Sequence, residues 1–331
     1  MMKVLVTGGS GFVGSNLLRL LKKDDDKELL SIDKKPSHWH QDVTHQVNIV
    51  DHTAVQQIDF AAETIIHLAA EHRDDVYPKS LYDEVNVQGT KNIIRYAEAK
   101  QSRMIIFFSS VAVYGFAEVG TDESGKVNPF NDYGKTKWLA EQNLRQWYEA
   151  NPDERTLIII RPTVIFGPRN RGNFFNLINQ VNNNKFLMVG AGDNKKSLAY
   201  IGNIIEFVQH CMTLPMGKSY LFNYVDQPES DMNHIINTIY RGLGKSMPRI
   251  RVPYIVASAG AFLFDIAAKF TKRKFPISRI RIKKFCANTS FNTSLAETGF
   301  AASHSVEDAI IETVHYEFKK PDKDDVVFYT E

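Results

Sequence analysis

The sequence predicts an α/β fold in which a doubly wound parallel sheet is joined to a smaller, mostly helical C-terminal domain. Short runs of apolar, β-branched residues alternate with amphipathic stretches through the first two-thirds of the 331 residues. Continuous apolar runs separated by helices are typical of a parallel sheet that is covered on both faces. This alternation ends after Pro168, and the pattern from Pro228 onward is mostly helical. The chain therefore resembles one large α/β domain with a helical appendage.

The apolar runs and the amphipathic stretches give the predicted elements in chain order. Strands are predicted at residues 3–7, 28–33, 63–70, 104–109 and 156–161. Helices are predicted at residues 12–22, 81–100, 133–149 and 173–184. A late apolar run at residues 219–225 is predicted to be a strand that rejoins the sheet.

The bulk composition excludes several classes of protein. The formal net charge is only +2, so no global charge argues for nucleic acid binding. Cys211 and Cys286 are far apart and lack the spacing of a metal site, so we expect two reduced, buried or partly buried thiols and no metal. The nearest approach to a membrane span, residues 254–264, is stopped by Asp265 before the length of about 18 apolar residues is reached. We therefore expect a cytoplasmic protein that is soluble or peripheral to a membrane.

Three glycines follow the first predicted strand and open the first predicted helix, at Gly8, Gly11 and Gly14. At this spacing the backbone turns tightly, approaches a pyrophosphate and lets the helix pack closely on the strand. The free N–H groups of the helix N-terminus, around Phe12 and Val13, then face the phosphate charge. This strand–turn–helix context predicts a dinucleotide-binding Rossmann domain.

Asp33 ends the second predicted strand and bears on the choice of cofactor. A carboxylate at this position accepts both ribose hydroxyls of NAD and repels the 2′-phosphate of NADP. Lys34 and Lys35 follow directly and would soften that repulsion, so NADP stays an alternative, although a solvated turn is the simpler interpretation. We therefore predict NAD as the cofactor.

The predicted cofactor site divides the chain into two domains. Residues 1–165 form the NAD-binding Rossmann domain, and the late strand at 219–225 is expected to rejoin its sheet. Residues 166–200 and 226–331 are then left as the substrate-binding domain.

A proton-transfer centre is predicted from Tyr133, Lys137 and Ser110. The first two are four positions apart in a predicted helix and share one of its faces. A phenol with a pKa of about 10 is a weak base near neutrality, and a nearby ammonium lowers that pKa. Tyr-x-x-x-Lys alone also occurs by chance in helices. However, Ser110 follows a predicted central strand, at the edge where such sheets carry their chemistry, and can orient a reacting oxygen toward Tyr133.

Together these motifs resemble the extended short-chain dehydrogenases/reductases, the NAD-dependent epimerase/dehydratase family. The resemblance spans almost the whole chain and also rests on residues 67–70, 86–90 and 109–115. It implies a Rossmann fold, bound NAD, a Ser/Tyr/Lys catalytic set, and a homodimer formed through the helices at 82–100 and 133–149. It further implies that Tyr133 and Lys137 contact the cofactor. The other cofactor contacts expected by this match are Asn48, Ile49, Leu68, Ala69, Ala70, Ser109 and Pro162.

The residues after the serine indicate the type of reaction. Sugar dehydratases of this family carry an Asp-Glu pair just after the active serine or threonine, and the corresponding positions here are Val111 and Ala112. Because no acid stands there to drive loss of water, the remaining chemistry is removal of a hydride from a carbinol and its return. Return to the opposite face is epimerisation, whereas delivery from external NAD(P)H is ketone reduction.

Three unusual strings narrow the resemblance, at residues 71–75, 161–173 and 283–286. They are similar to the bacterial 4-epimerases that act on N-acetylglucosamine joined by diphosphate to undecaprenol in O-antigen assembly. We therefore predict an NAD-dependent 4-epimerase of a diphosphate-linked N-acetylhexosamine, with undecaprenyl diphosphate as the favoured carrier. The alternatives are a UDP-sugar 4-epimerase, a 4-keto-sugar reductase or hydroxysteroid-type dehydrogenase, and a non-catalytic NAD-binding protein.

The chain departs from the commoner nucleotide-sugar epimerases at three positions, with Val164 for asparagine, Lys196 for arginine and Asn203 for aspartate. Val164 cannot donate a hydrogen bond to a phosphate, but Arg169, Arg171 and Lys196 can neutralise a diphosphate. The predicted substrate contacts are Glu71, Ser110, Val111, Tyr133, Arg169, Arg171, Asn173 and Lys196.

A basic segment at residues 269–284 follows the apolar stretch at 254–264 and contains no acidic residue. Apolar sequence beside polybasic sequence is typical of a peripheral contact with an anionic membrane. The alternative interpretation is a buried helix followed by a solvated basic face. We expect a peripheral contact on the inner face of the cell membrane, because a lipid-linked substrate is held there.

Overall fold

The protein is described by a computed structural model that covers residues 1–73, 76–271, 279–319 and 325–330. Thirteen short or long strands are defined in these residues: β1 Met2–Thr7, β2 Lys27–Asp33, β3 Thr44–Gln46, β4 Thr64–His67, β5 Met104–Phe108, β6 Thr156–Pro162, β7 Val164–Phe166, β8 Met188–Val189, β9 Lys195–Lys196, β10 Leu198–Tyr200, β11 Ser219–Tyr224, β12 Ser230–Asp231 and β13 Arg251–Val252.

The α-helices of the described residues are α1 Phe12–Leu21, α2 His52–Gln56, α3 Ser80–Asp83, α4 Thr90–Ala99, α5 Asp132–Glu149, α6 Asn173–Asn182, α7 Ile201–Cys211, α8 Met232–Leu243, α9 Tyr254–Thr271, α10 Arg279–Cys286 and α11 Val306–Val314. Two 3-10 helices, Val111–Tyr114 and Leu295–Thr298, and two π-helices, Glu84–Gly89 and His315–Lys319, complete the set.

Seven strands form the central sheet, in the order β11-β6-β5-β4-β1-β2-β3. Every neighbouring pair in this sheet is parallel. The predicted doubly wound parallel sheet is therefore confirmed. Strand β3, of three residues at the sheet edge, was not predicted, because so short a strand carries no apolar pattern of its own.

Alternate residues of each central strand face two separate cores. On β5, Met104, Ile106 and Phe108 pack in the core that also contains residues of α1 and α7. Ile105 and Phe107 pack in the opposite core, with residues of α4 and α5. All five side chains are buried, which explains why the strand is a continuous apolar run in the sequence.

The chain leaves the central sheet after β6 and returns to it as β11. In between it forms α6, α7 and several short strands. On its return, β11 pairs with β6 in parallel, with Leu221 opposite Ile159. Helix α11 then packs against α8 in the C-terminal part of the chain, which is helical in the residues described.

The predicted helix at residues 81–100 is interrupted. It begins as α3, widens into the π-helix Glu84–Gly89 and continues as α4. Within the π-helix, the Asn86 side chain bonds the backbone of Glu71 and the hydroxyl of Thr136. A π-helical turn is a common way to aim a side chain out of a helix, and such turns are frequent at functional sites.

Both cysteines are free thiols, with Cys211 buried and Cys286 half-buried, as expected. Within the described ranges, no helix has the length and apolar character needed to span a membrane. Asp74 and Asp75, together with residues 272–278 of the basic segment, lie outside the described residues. The side chains of residues 263–271 also lie outside them, and so do those of Ile280, Arg281 and Lys284.

Candidate active site

The glycine turn forms a close junction between β1, α1 and β4. Gly8 has a φ of +76°, and a Cβ there would lie 2.7 Å from the backbone nitrogen of Ala69. A Cβ on Gly14 would lie 2.3 Å from the carbonyl oxygen of Gly8, so α1 packs directly on the turn. At Gly11, by contrast, a Cβ would meet only that same oxygen, at 3.3 Å. Gly8 and Gly14 are thus required by internal packing, while Gly11 keeps the outer side of the turn open.

Asp33 lies beside this turn at the end of β2. Its carboxylate accepts a hydrogen bond from the backbone nitrogen of Ser10 at 3.1 Å and from that of Lys35 at 2.9 Å. The adjacent Lys34 forms an ion pair with Glu71. The Lys34 charge is therefore directed to a carboxylate, as expected of a structural turn.

The remaining predicted cofactor residues lie around the same edge of the sheet. Ile49 is buried and its carbonyl accepts from Asn92 at 2.9 Å, while Asn48 is exposed beside it. Leu68, Ala69 and Ala70 follow β4, with the Ala69 N–H bonded to the Thr7 hydroxyl at 3.2 Å. Ser109 and Pro162 lie at the ends of β5 and β6.

The residues around the glycine turn fit NAD. The first N–H groups of α1 have no partner within the helix, and the N-cap Gly11 has no side chain to bond them. The open outer side of Gly11 lets a pyrophosphate approach these donors. Asp33, at the neighbouring strand end, supplies the acceptor that two ribose hydroxyls require.

The structure brings Ser110, Tyr133 and Lys137 together at the end of β5. The Ser110 side chain lies close to the phenol of Tyr133 and acts on its pKa. Lys137 is 2% exposed, and its Nζ donates to the carbonyl oxygen of Phe108 at 2.5 Å. The predicted catalytic set is thus one spatial cluster that joins α5 to the end of β5.

Two residues that the sequence analysis missed bring α5 into this position. Asn131 caps the helix, because its side chain accepts from the Gly134 N–H at 2.9 Å. Gly134 itself permits close packing, since a Cβ there would lie 2.4 Å from the carbonyl oxygen of Ala112. Tyr133 is held between them, and so it reaches Ser110.

The pKa of Tyr133 departs from the expectation. Burial raises the pKa of this phenol to about 12, and the nearby Ser110 side chain offsets only part of the rise. The expected lowering by Lys137 is therefore wrong for this arrangement. The physical reason is that burial also lowers the pKa of Lys137 to about 7, so its ammonium is poorly stabilised, and its Nζ is directed to the Phe108 carbonyl.

A buried ionic network lies next to the catalytic cluster and was also missed. Glu141, one helical turn beyond Lys137, is fully buried and binds Arg161 through two hydrogen bonds of 2.9 and 2.6 Å. The Glu141 carboxylate also accepts from the Ser109 hydroxyl at 2.5 Å. Arg161 in turn donates to the Tyr114 hydroxyl at 2.7 Å. Glu141 lies four residues after Lys137 and therefore on the same face of the helix. This spacing is the sequence signal that would have indicated the network.

His67 is a structural residue of the site. One ring nitrogen lies 2.6 Å from the Thr7 hydroxyl and the other 3.0 Å from the Thr90 hydroxyl. Burial lowers the pKa of His67 to about 3. The ring is therefore neutral near neutral pH and joins β1 and β4 to α4 without carrying a charge.

Two of the predicted substrate residues adjoin this cluster in different ways. Val111 follows Ser110 and packs partly buried against Tyr114 and Phe291. Glu71 instead directs its carboxylate to Lys34, next to Asp33, and its backbone to Asn86. The Glu71 side chain thus lies beside the end of β2, and its contact with the substrate stays a prediction.

Arg169 and Arg171 are both engaged by carboxylates of the C-terminal segment. Arg169 forms an ion pair with Asp325, and Arg171 pairs with Glu317 at 2.5 Å. Their role in neutralising a diphosphate stays a prediction. An aspartate and a glutamate more than 140 positions away in the chain already supply the opposite charge.

Lys196 and Asn173 are the other two predicted substrate residues of this part of the chain. Lys196 donates its Nζ to the carbonyl oxygen of Ala287 at 2.7 Å, and burial lowers its pKa to about 8. Asn173 is the first residue of α6 and is exposed. The hydrogen bonds given for the described part of the chain do not join either residue to Ser110 or Tyr133.

Comparisons with known proteins identify the family. A family model described as "NAD dependent epimerase/dehydratase family" matches residues 4–221. The chain is 44% identical over 329 residues to the N-acetyl-alpha-D-glucosaminyl-diphospho-ditrans,octacis-undecaprenol 4-epimerase of Escherichia coli O157:H7, covering 99% of both chains. It is 29% identical over 259 residues to a UDP-glucose 4-epimerase of Vibrio cholerae, covering 76% of this chain and 78% of that one.

Solved structures share the fold. The UDP-glucose 4-epimerase of Thermotoga maritima superposes with a TM-score of 0.75 at 19% identity, covering 96% of this chain and 99% of that one. The UDP-glucuronic acid 4-epimerase of Bacillus cereus, in complex with NAD, gives a TM-score of 0.73 at 20% identity, with 95% and 98% covered. These structures confirm the predicted fold, and the family match and the 44% identical relative confirm the enzyme class and the NAD cofactor. From the glycine turn to the Ser110, Tyr133 and Lys137 cluster, the chain belongs to the NAD-dependent epimerase/dehydratase family.

Proposed function

We propose that the protein is an NAD-dependent 4-epimerase of N-acetylhexosamine, converting the gluco and galacto forms, with the sugar joined by diphosphate to undecaprenol. The observation that carries this proposal is the proximity of the Ser110 and Tyr133 side chains beside buried Lys137, at the sheet edge that also holds the glycine turn. The 44% identity over nearly the full length of an enzyme named for this substrate supports the choice of carrier. Such an activity serves the synthesis of O-antigen and other surface polysaccharides.

The proposed reaction uses the three residues in separate roles. Bound NAD supplies the chemistry of hydride acceptance from the sugar C4 and hydride return. Tyr133 removes the proton from the C4 hydroxyl and gives it back after the keto sugar has turned over. Ser110, whose side chain lies close to the phenol of Tyr133, orients that oxygen. Lys137, whose Nζ donates to the Phe108 carbonyl, can hold a ribose hydroxyl of the cofactor.

The local sequence after Ser110 favours epimerisation over dehydration. Val111 and Ala112 begin a short 3-10 helix, and neither can act as an acid. The Ser110 hydroxyl accepts the Ala112 N–H at 3.1 Å, which fixes this helix next to the serine. Loss of water from the sugar needs an acid at this place, so the keto sugar keeps its other hydroxyl groups.

The deciding experiment compares two radiolabelled substrates without added NADH. One is N-acetylglucosaminyl-diphospho-undecaprenol in membranes, and the other is the soluble UDP-sugar. We expect conversion of the lipid-linked sugar to its galacto epimer. Conversion of the UDP-sugar alone keeps the mechanism but rejects the carrier. Turnover only after a ketone and NADH are supplied identifies a reductase and rejects epimerisation.

We further propose a peripheral contact with the inner face of the cell membrane. Helix α9 carries exposed apolar side chains at its start, with Ile255 81% exposed and Val256 60% exposed, and Ile250 just before it is 72% exposed. The basic residues Arg279 and Lys283 are exposed on the following α10. Apolar contact beside basic charge suits an anionic lipid surface.

Flotation with anionic liposomes at low salt tests this contact. We expect binding that is lost in an Ile255→Glu, Val256→Glu double variant. The matched control is Val119→Glu, because Val119 is also an exposed apolar residue but lies outside α9. Equal flotation of all three proteins, or no binding by the wild type, would reject the membrane contact.

We also propose the domain division given above, with residues 1–165 and 219–225 for NAD and residues 166–200 and 226–331 for the substrate.

We further propose a homodimer that forms through α4 and α5. The two helices pack side by side, and Leu139 on α5 is exposed. Light scattering of wild type and Leu139→Asp tests the dimer. We expect twice the chain mass for wild type and a shift toward the single-chain mass for the variant, and single-chain mass for both would reject it.

A further inference from the structure

The C-terminal residues 325–330 lie against the cofactor loop. The ring of Phe328 packs 5.8 Å from the ring of Phe12 and 5.4 Å from the ring of Trp39, measured between centroids. Phe12 is the first residue of α1, directly after Gly11. Trp39 stands on the segment that follows Asp33. One aromatic ring from the end of the chain therefore contacts both segments that the NAD site uses.

Backbone hydrogen bonds fix Phe328 in this place. Its N–H donates to the Arg169 carbonyl at 2.9 Å, and its carbonyl accepts from the Arg171 N–H at 2.7 Å. The hydroxyl of Thr330 donates to the Asn170 side chain at 2.6 Å. Residues 325–330 are thus attached along the loop that follows β7.

Arg169 ties the same residues to the segment after Asp33. Its guanidinium lies 5.3 Å from the Trp39 ring and 5.0 Å from the Tyr316 ring, and it pairs with Asp325. A guanidinium between two aromatic faces with a carboxylate partner is a strong, oriented contact. The arginine that the sequence assigned to the substrate therefore holds the C-terminal residues against the cofactor side.

We propose that residues 325–330 form a strap for NAD and that Phe328 is its positioning residue. The strap keeps the start of α1 and the segment after Asp33 in the arrangement that binds the cofactor, and so it slows NAD release. An enzyme that returns hydride from the same NAD molecule needs this slow release. The proposal rests on NAD as the cofactor and is independent of the identity of the sugar.

The experiment measures NAD retention in the full-length protein without any sugar. Phe328→Ala is compared with wild type and with Tyr329→Ala, whose neighbouring ring is 67% exposed. The readouts are NAD content after acid release, exchange of bound NAD with labelled NAD, and calorimetric titration. We expect Phe328→Ala to release NAD about tenfold faster, equivalent to the loss of one weak aromatic contact, and Tyr329→Ala to match wild type.

A second variant covers the case in which Phe328→Ala does not fold. Phe328→Leu keeps an apolar side chain but loses the ring contacts with Phe12 and Trp39, and we expect it to release NAD faster than wild type at an unchanged melting temperature. Wild-type NAD release in the folded variants would overturn the proposal. A lowered melting temperature with unchanged NAD release would also overturn it, because the residues would then stabilise the fold alone.

Discussion

The ammonium nitrogen of Lys137 lies 2.5 Å from the carbonyl oxygen of Phe108, two residues before Ser110. This bond attaches the face of α5 that carries Tyr133 to the end of β5. It is made by a side chain that is almost fully buried, so the lysine has little water to stabilise its charge. The contact therefore links the position of α5 on β5 to the protonation state of the Lys137 amine.

Replacement of Lys137 should change how stability depends on pH. Burial lowers the pKa of Lys137 to about 7, below its unfolded value of 10.5. Between these values the unfolded chain binds more protons, so this group makes the free energy of unfolding rise with pH, by up to about 1.4 kcal/mol per unit. In urea unfolding from pH 6.5 to 9.5 without added cofactor, we expect wild type to gain stability relative to Lys137→Met. Parallel curves would contradict the lowered pKa.

Tyr133→Phe should remove the proton transfer while leaving the cofactor site intact. The ring remains packed, but the hydroxyl near Ser110 is lost. We expect kcat for epimerisation to fall by about 10²–10⁴-fold, with NAD content and melting temperature near those of wild type. Near-normal turnover in this variant would assign the proton transfer to another group.

The glycine turn allows a test that separates folding from cofactor binding. A Cβ at Gly14 would lie 2.3 Å from the Gly8 carbonyl oxygen, whereas at Gly11 it would meet that oxygen at 3.3 Å. We expect Gly14→Ala to lower the free energy of unfolding by about 1–3 kcal/mol through overpacking. Gly11→Ala should unfold like wild type but bind NAD much more weakly in titration calorimetry. Equal NAD affinity in Gly11→Ala and wild type would place the pyrophosphate elsewhere.

The buried pair of Glu141 and Arg161 should be important for stability. Glu141→Gln leaves the Arg161 charge buried without its partner, and such losses cost about 3–5 kcal/mol. The control is Arg145→Gln, because Arg145 also contacts Glu141, at 3.4 Å, but is partly exposed. We expect the control to lie within about 0.5 kcal/mol of wild type. Similar unfolding midpoints for the two variants would show that the pair contributes little.

The sequence predicts those strands, helices and site residues that follow from a local pattern of residues. Strands β5 and β6 are buried throughout and β1 is buried over its last four residues, so their apolar runs stand out. Ser110, Tyr133 and Lys137 lie on a strand end and a helix face that local spacing defines. The π-helix Glu84–Gly89 is different, because it depends on what Asn86 meets in space, namely Glu71 and Thr136.

The partners of charged side chains were the least predictable part of the site. Arg169 and Arg171 stand in a string typical of substrate contact, yet their carboxylates come from Asp325 and Glu317. Pairings over such a separation leave no periodic signal in the sequence. The pKa of Tyr133 is a similar case, because burial, which sequence spacing does not report, is the largest cause of its rise.

The contact between Phe12 and Phe328 has a consequence for the folding of the protein during its synthesis. The ribosome adds Phe328 more than three hundred residues after Phe12. A nascent chain therefore presents its glycine turn long before the residues that pack against it exist. The aromatic cluster at the dinucleotide loop is completed only when translation of this region has ended, so a prematurely terminated chain lacks it.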